Sequence, residues 1–211
     1  MNDLFLELTG VETEQDAMKE SINAAVGVRR GGKIYATDDG NERGAFKKEL
    51  ATLIRKESER YTHPARKILD EQHCESIRRI IGNLSSRSKK CLLNEHLRWG
   101  IAAKAFNLDL KFLWRLDMVR VPPPRHCPVD RVVLRAAGID GSWTQCDSEQ
   151  QYMEWIEKLR ARAGTLCLSD WEYKVWLDWA LAQQRSKTGC AKDRCANSAP
   201  ASMIQVEWNI A

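Results

Sequence analysis

Apolar positions recur at spacings of three and four along most of the chain, and alternating apolar and polar runs are scarce, so the pattern predicts helices rather than strands. The densest stretch runs from Leu97 to Ala137. Within it Ile101, Ala102, Ala103, Ala105, Phe106, Leu108, Leu110, Phe112, Leu113, Trp114 and Leu116 cover almost every side of a helix, as expected of one surrounded by protein. Lys104, Asn107, Lys111 and Arg115 interrupt that coverage at offsets of three, seven and eleven, which sets all four on one line. The expected environment of that line is water, a polyanion or a polar cleft. Pro122, Pro123 and Pro124 then forbid helix and hold the chain extended. Asp130 stands at the head of a helix expected over 131–137, where its carboxylate accepts bonds from otherwise unpaired amides and becomes a fixed charge.

The flanking elements follow from the same periodicity. Residues 1–26 read as one helix or two short ones, with Leu4, Phe5, Leu8, Ala17, Ile22 and Val26 on broadly one side. Residues 27–44 are glycine-rich, and 26–29 with 33–36 suit a short hairpin about Gly31 and Gly32. Helices are expected over 45–61 and 65–81, the second stopped by Gly82-Asn83, with Ser86 or Ser88 capping a further one through Leu92, Leu93 and Leu97. Ser148 begins a helix that Gly164 ends. Ser169 caps the last, with Glu172 completing a capping box and the helix closing near Arg185. Residues 203–210 suit a short strand or an ordered arm.

These elements predict an all-α fold of roughly seven to ten helices in two lobes. The organisation expected is N-terminal helices and the Gly-rich loop over 1–44, a helical core over 45–185 and a C-terminal tail over 186–211. The core contains a hairpin region at 92–117 and a capping helix at 130–137.

Composition narrows the classes. The chain has 211 residues, 43% hydrophobic and 29% charged, as a globular protein does. No apolar run is long enough to cross a membrane, and the acidic start, MNDLFLELTG, does not suit an export signal, so a cytoplasmic location is expected. A net charge of +4 permits nucleic-acid binding without demanding it. The seven cysteines are scattered and odd in number, read as reduced thiols, and their spacing suits no metal site. No cofactor is expected.

The chemistry concentrates on Lys104 and Asp130. Taken singly, a lysine on an apolar helix snorkels and an aspartate before a helix caps it. Together they offer more. Burial lowers an amine's pKa and frees a nucleophile, and a fixed carboxylate stabilises positive charge on a sugar or an imine.

Leu97-Arg98-Trp99-Gly100-Ile101-Ala102-Ala103-Lys104, followed by Pro128-Val129-Asp130, resembles the pattern of the helix-hairpin-helix DNA glycosylases, closest to their 8-oxoguanine-type members. Arg98-Trp99 stands where that family has Pro-Gly, and Ala102 stands in place of its second glycine. The resemblance implies a fold of two helical lobes around a cleft. It places the catalytic lysine on Lys104, the helix-capping aspartate on Asp130, and an amide near a DNA phosphate on Gly100. The activity implied is excision of a modified or damaged base in DNA repair, with or without an AP-lyase step. The partner implied is duplex DNA with one nucleotide flipped out, with neither a membrane nor an obligate protein partner. Arg98, Lys111, Arg115, Lys89 and Lys90 are the expected DNA-binding cations, and Trp99, His126 and Asn107 are expected at the pocket.

Two other readings stand beside it: a non-catalytic DNA- or RNA-binding helical module, and a protein-interaction protein whose late tryptophans at 155, 171, 176 and 179 dock a partner.

Overall fold

The computed structural model describes residues 3–27, 34–61, 68–117 and 121–192, with side chains of the last helix described as far as Arg185. Eight α-helices are present among these residues: α1 (Leu4–Thr9), α2 (Glu14–Val26), α3 (Gly40–Ser58), α4 (Asp70–Arg87), α5 (Trp99–Leu116), α6 (Arg131–Ala136), α7 (Glu149–Ala163) and α8 (Leu168–Lys192). The all-α expectation holds. The one extended pairing described is an isolated bridge between Tyr35 and Leu92, flanked by Ala36 N–H to Cys91 O (2.9 Å) and Leu93 N–H to Ile34 O (2.8 Å).

Helix starts follow local chemistry. Asp3 caps α1 by accepting from the Phe5 and Leu6 amides, Thr13 and Asp16 form a reciprocal capping box at α2, and Ser148 accepts from Gln151 N–H at α7. The 1–26 stretch is therefore two helices, separated after Gly10, whose φ of 66° ends α1 in the left-handed region.

Helix α5 is the axis of the molecule. Every residue from Trp99 to Phe112 is buried, as is Trp114. Its first two-thirds lie in the larger apolar cluster, with Ile22 and Val26 of α2, Leu50 and Ile54 of α3, Ile77 and Ile80 of α4, Val133 of α6 and Ile156 of α7. Leu108 and Phe112 pass into a second cluster with Phe5 of α1, Ala17 of α2 and Trp176 of α8. The N-terminal helices pack directly on this axis.

Several boundaries differ from the sequence expectation. Helix α4 runs straight through Gly82-Asn83 because Leu84, one turn beyond Ile80, is fully buried and rewards continuation, while Asn83 donates its side-chain amide back to Arg79 O at 2.7 Å. The helix expected after Ser86 or Ser88 is replaced by 3-10 turns at Lys89–Cys91 and Leu93–Glu95, where Asn94 and Glu95 take positive φ. Residues 40–44 join α3, and α8 continues past Arg185 to Lys192. The Gly31-Gly32 turn and the 203–210 segment lie outside the described residues.

No helix among the described residues is long and apolar enough to cross a membrane. No group of three or more potential metal ligands occurs among them, and the five described cysteines are free thiols.

Candidate active site around Lys104 and Asp130

Asp130 has the non-helical backbone of an N-cap, and its Oδ1 accepts from the Val132 and Val133 amides at 2.9 and 3.1 Å. That leaves Oδ2 for Lys104, whose Nζ donates to it across 3.4 Å. The Trp143 ring, on a 3-10 turn at Trp143–Gln145, covers the amine 4.3 Å from its centroid. The structure thus brings together two residues separated by 26 positions. It also buries them, leaving Lys104 4% and Asp130 9% exposed. Neither residue lines the two clefts described on this molecule.

The polar line of α5 does not face water, and that expectation is corrected. Asn107 and Lys111 are buried, and each polar group of the line meets a partner from a distant part of the chain. Lys104 meets Asp130. Asn107 joins a network with His73, Tyr152 and the Cys127 carbonyl. Lys111 Nζ lies 2.7 Å from Glu172 Oε2, off the line of a hydrogen bond, so the two meet as charges. Arg115 pairs with Asp3, the cap of α1. A charge moved into low dielectric without a partner costs several kcal/mol, which is why so apolar a helix carries these groups only in pairs.

Gly100 differs from its expected DNA-phosphate role for a related reason. Its amide donates to Cys146 O at 2.9 Å, and a Cβ on it would lie 2.0 Å from the Trp143 carbonyl oxygen. Glycine is required for the turn carrying Trp143 to dock against the start of α5. Arg98 holds the same turn through Thr144 O at 3.0 Å, and Trp99 is buried beside Tyr152. Lys89 and Lys90 are exposed, Lys89 within 2.6 Å of Glu95. Of the expected DNA-binding cations, Lys111 is enclosed and Arg115 is mostly covered, whereas Lys89 and Lys90 lie at the surface.

His126 is buried. Its neighbours form a hydrogen-bond chain whose direction can be deduced. The Cys127 carbonyl only accepts, so the Asn107 atom facing it at 3.0 Å is Nδ2, which also donates to Tyr152 Oη at 2.9 Å. Asn107 Oδ1 then accepts from His73 Nε2–H at 2.8 Å, and His73 Nδ1 accepts from Tyr61 O–H at 2.9 Å. Tyr152 O–H donates to His126 Nδ1 at 3.0 Å, leaving His126 Nε2–H to donate to Asp70 Oδ1 at 3.1 Å. With Nε2 of each ring facing an acceptor, these bonds fit the neutral Nε2–H tautomer of both imidazoles. Burial lowers the pKa of each, most strongly at His73. Asp70 is held well below the usual carboxylate range by the His126 hydrogen bond and by Arg160 and Arg125.

Asp70, His73 and Tyr152 are polar residues of this network that the sequence pattern does not mark as functional. His73 carried a signal, since it falls one turn before Ile77 on the packing face of its helix. The sequence spacing places Glu172 in a capping box with Ser169. It is buried instead against Lys111, and burial pushes its carboxyl up. Ser169 donates to Pro124 O at 2.8 Å, tying α8 to the proline segment.

No protein-family model, curated protein or solved structure matches this chain.

Proposed function

We propose that the chain is a DNA glycosylase of the helix-hairpin-helix type, divergent in its hairpin, with Lys104 as nucleophile and Asp130 as the carboxylate beside the reacting sugar. The observation that supports this reading is the 3.4 Å approach of the Lys104 amine to the free oxygen of a helix-capping carboxylate. In the reaction, the Lys104 ammonium gives up a proton through Asp130 to the departing base, and the nitrogen lone pair so freed forms a bond to C1′ while the C1′–N glycosidic bond breaks. The electron pair leaves with the base, which takes up that proton. Asp130 stabilises the positive charge developing on the sugar, and its two bonds from α6 amides keep it from reorienting. Proton loss from nitrogen and ring opening give an imine, from which strand cleavage by β-elimination follows. The finer arrangement of two lobes around a cleft belongs to this proposal, as does duplex DNA as partner.

The reading requires the turn bearing Trp143 to move aside, because in the closed arrangement its ring lies on the amine. Of the cations that the resemblance assigns to DNA, Lys89 and Lys90 are exposed and are assigned to phosphate contact in this reading. The test is base release from duplexes carrying a panel of modified bases. Lys104→Met abolishes it. Asp130→Asn preserves the cap, since asparagine caps equally well, and lowers turnover by about 100-fold. Undiminished release by Lys104→Met overturns the proposal.

A second reading is favoured by one specific observation, the internal pairing of the α5 polar line. On that reading the line is a structural spine, and the protein is a non-catalytic helical module.

A further inference from the structure

The segment from Gly138 to Asp147 carries the Trp143 ring that covers Lys104. Residues 140–142 and Gln145 in it are exposed, while Trp143, Thr144 and Cys146 are buried. Gly138 and Gly141, at φ of 68° and 157°, let the chain bend at its entry, since small residues readily absorb large dihedral changes. Its far end is tied to the start of α5. Gly100 N–H donates to Cys146 O at 2.9 Å, Arg98 donates to Thr144 O at 3.0 Å, and His96 Nε2 lies 2.7 Å from Asp147 Oδ2.

The His96 tie depends on charge. Its Nδ1 lies 2.9 Å from the Asn94 carbonyl oxygen and its Nε2 faces the Asp147 carboxylate, so both nitrogens meet groups that only accept. The imidazolium has a donor for each. A neutral ring sets a lone pair against one of the two oxygens. The Asn94 carbonyl belongs to a strained turn, because Asn94 and Glu95 take φ of 61° and 63°, and glutamate lacks asparagine's tolerance for that region. Strain of this kind gathers at switch regions. The ring proton therefore holds the turn on one side and Asp147 on the other.

We propose that charged His96 latches the Trp143 segment closed over Lys104, and that loss of the ring proton releases the segment. The consequence for access to Lys104 rests on the glycosylase reading, whereas the opening itself involves no catalysis. The Asn94 carbonyl and Asp147 raise the His96 pKa above the usual value, opposed by partial burial and by Arg98. The latch is therefore complete below about pH 6.5, the ordinary imidazole value, and is lost as pH rises through the higher folded value. The charged groups facing His96 are Asp147 from the approach to α7 and Arg98 from the start of α5. On its own turn Glu95 is paired with Lys89 at 2.6 Å, and α4 meets the turn through the Ser85 hydroxyl, which accepts from Leu97 N–H.

Cys146 reports the opening, because its thiol is buried in the closed segment, while Cys74 and Cys127, buried outside it, report wider unfolding. The experiment pulse-labels the full chain with 4,4′-dithiodipyridine between about pH 6 and pH 9, on either side of the titration. Mass spectrometry maps the adducts in wild type, His96→Gln and Asp147→Asn. Rates are compared between proteins at one pH, which cancels the intrinsic pH dependence of thiol reactivity. At the acid end Cys146 is expected to react about two- to fivefold faster in either variant than in wild type, the range set by a solvent-screened ion pair. At the alkaline end the rates converge. Equal rates at the acid end, or a ratio constant across the range, overturns the proposal. So does wild-type labelling of Cys146 that only keeps pace with Cys74 and Cys127, which shows that the segment opens with the whole fold. Circular dichroism establishes that each variant is folded. Labelling that follows the expected course in a chain that releases no base leaves the latch standing and counts against the glycosylase reading alone.

Discussion

Lys111 and Glu172 meet in the interior, Nζ to Oε2 at 2.7 Å, with the amine also 4.2 Å from the centroid of Phe5 and within reach of the Tyr173 and Trp176 rings. The pair joins α5 to α8 in the smaller apolar cluster. Glu172 also feels Lys104 and Asp130, so the two buried ion pairs share one electrostatic neighbourhood. Their roles can be separated by mutation.

Lys111→Met leaves Glu172 buried without its counter-charge and is expected to destabilise the fold by about 3–5 kcal/mol. The double variant Lys111→Met/Glu172→Leu removes both charges and is expected to recover most of that loss. Chemical denaturation of the single and double variants measures the difference. A double variant no more stable than the single shows that the pair contributes more than mutual neutralisation.

The histidine chain predicts a spectroscopic outcome. Both His73 and His126 are expected as neutral Nε2–H tautomers at pH 7 in long-range proton–nitrogen spectra, and neither should titrate near the usual imidazole value. Because the folded-state pKa of each lies below its unfolded value, stability is fully present above about pH 6.5. It falls as the pH drops, by up to about 1.4 kcal/mol per pH unit per histidine. An imidazole that protonates near 6.5 in the folded protein contradicts the assignment.

Asp109 acts in the opposite direction. Its folded pKa, raised to about 7 by burial, exceeds the unfolded value, so its neutral form favours the fold at low pH. That contribution is complete below about pH 4 and is lost as pH rises to about 7, at up to roughly 1.4 kcal/mol per unit. Asp109→Asn should therefore lose this slope and gain stability relative to wild type across that interval. Denaturation midpoints of the two proteins between pH 4 and pH 8 test this.

Gly100→Ala is expected to be among the most damaging small substitutions. The new methyl would lie 2.0 Å from a backbone oxygen, Trp143 O, which cannot rotate away. The turn must shift as a unit, at a cost of about 3 kcal/mol by analogy with other overpacked interiors. Thermal unfolding gives the loss, and a change in Trp143 fluorescence reports the displaced ring.

The helical plan was legible because caps and apolar spacing are local. Asp130 capping α6 and Ser148 capping α7 depend on residues a few positions away, and both stand where the sequence puts them. The line of Lys104, Asn107, Lys111 and Arg115 was legible as a line but not as a buried one. A polar stripe looks the same in sequence whether it faces solvent or other polar groups. Its partners, Asp130, His73, Glu172 and Asp3, come from separate segments that periodicity does not connect. Gly82-Asn83 misled for a similar reason, since burial of Leu84 outweighs the weak helix propensity of those two residues. The contact of Asp109 with Ser58 had no sequence signal: the two are 51 positions apart.

The central claim is that Lys104 is a nucleophile rather than an internal counter-ion. Borohydride reduction of the full chain incubated with duplexes carrying a panel of modified bases, followed by peptide mapping, tests it most directly. The account predicts a covalent protein–DNA adduct on Lys104 that is absent from a folded Lys104→Met variant still able to bind the duplex. No adduct with any substrate of the panel, or one that maps to another lysine and persists in Lys104→Met, contradicts it.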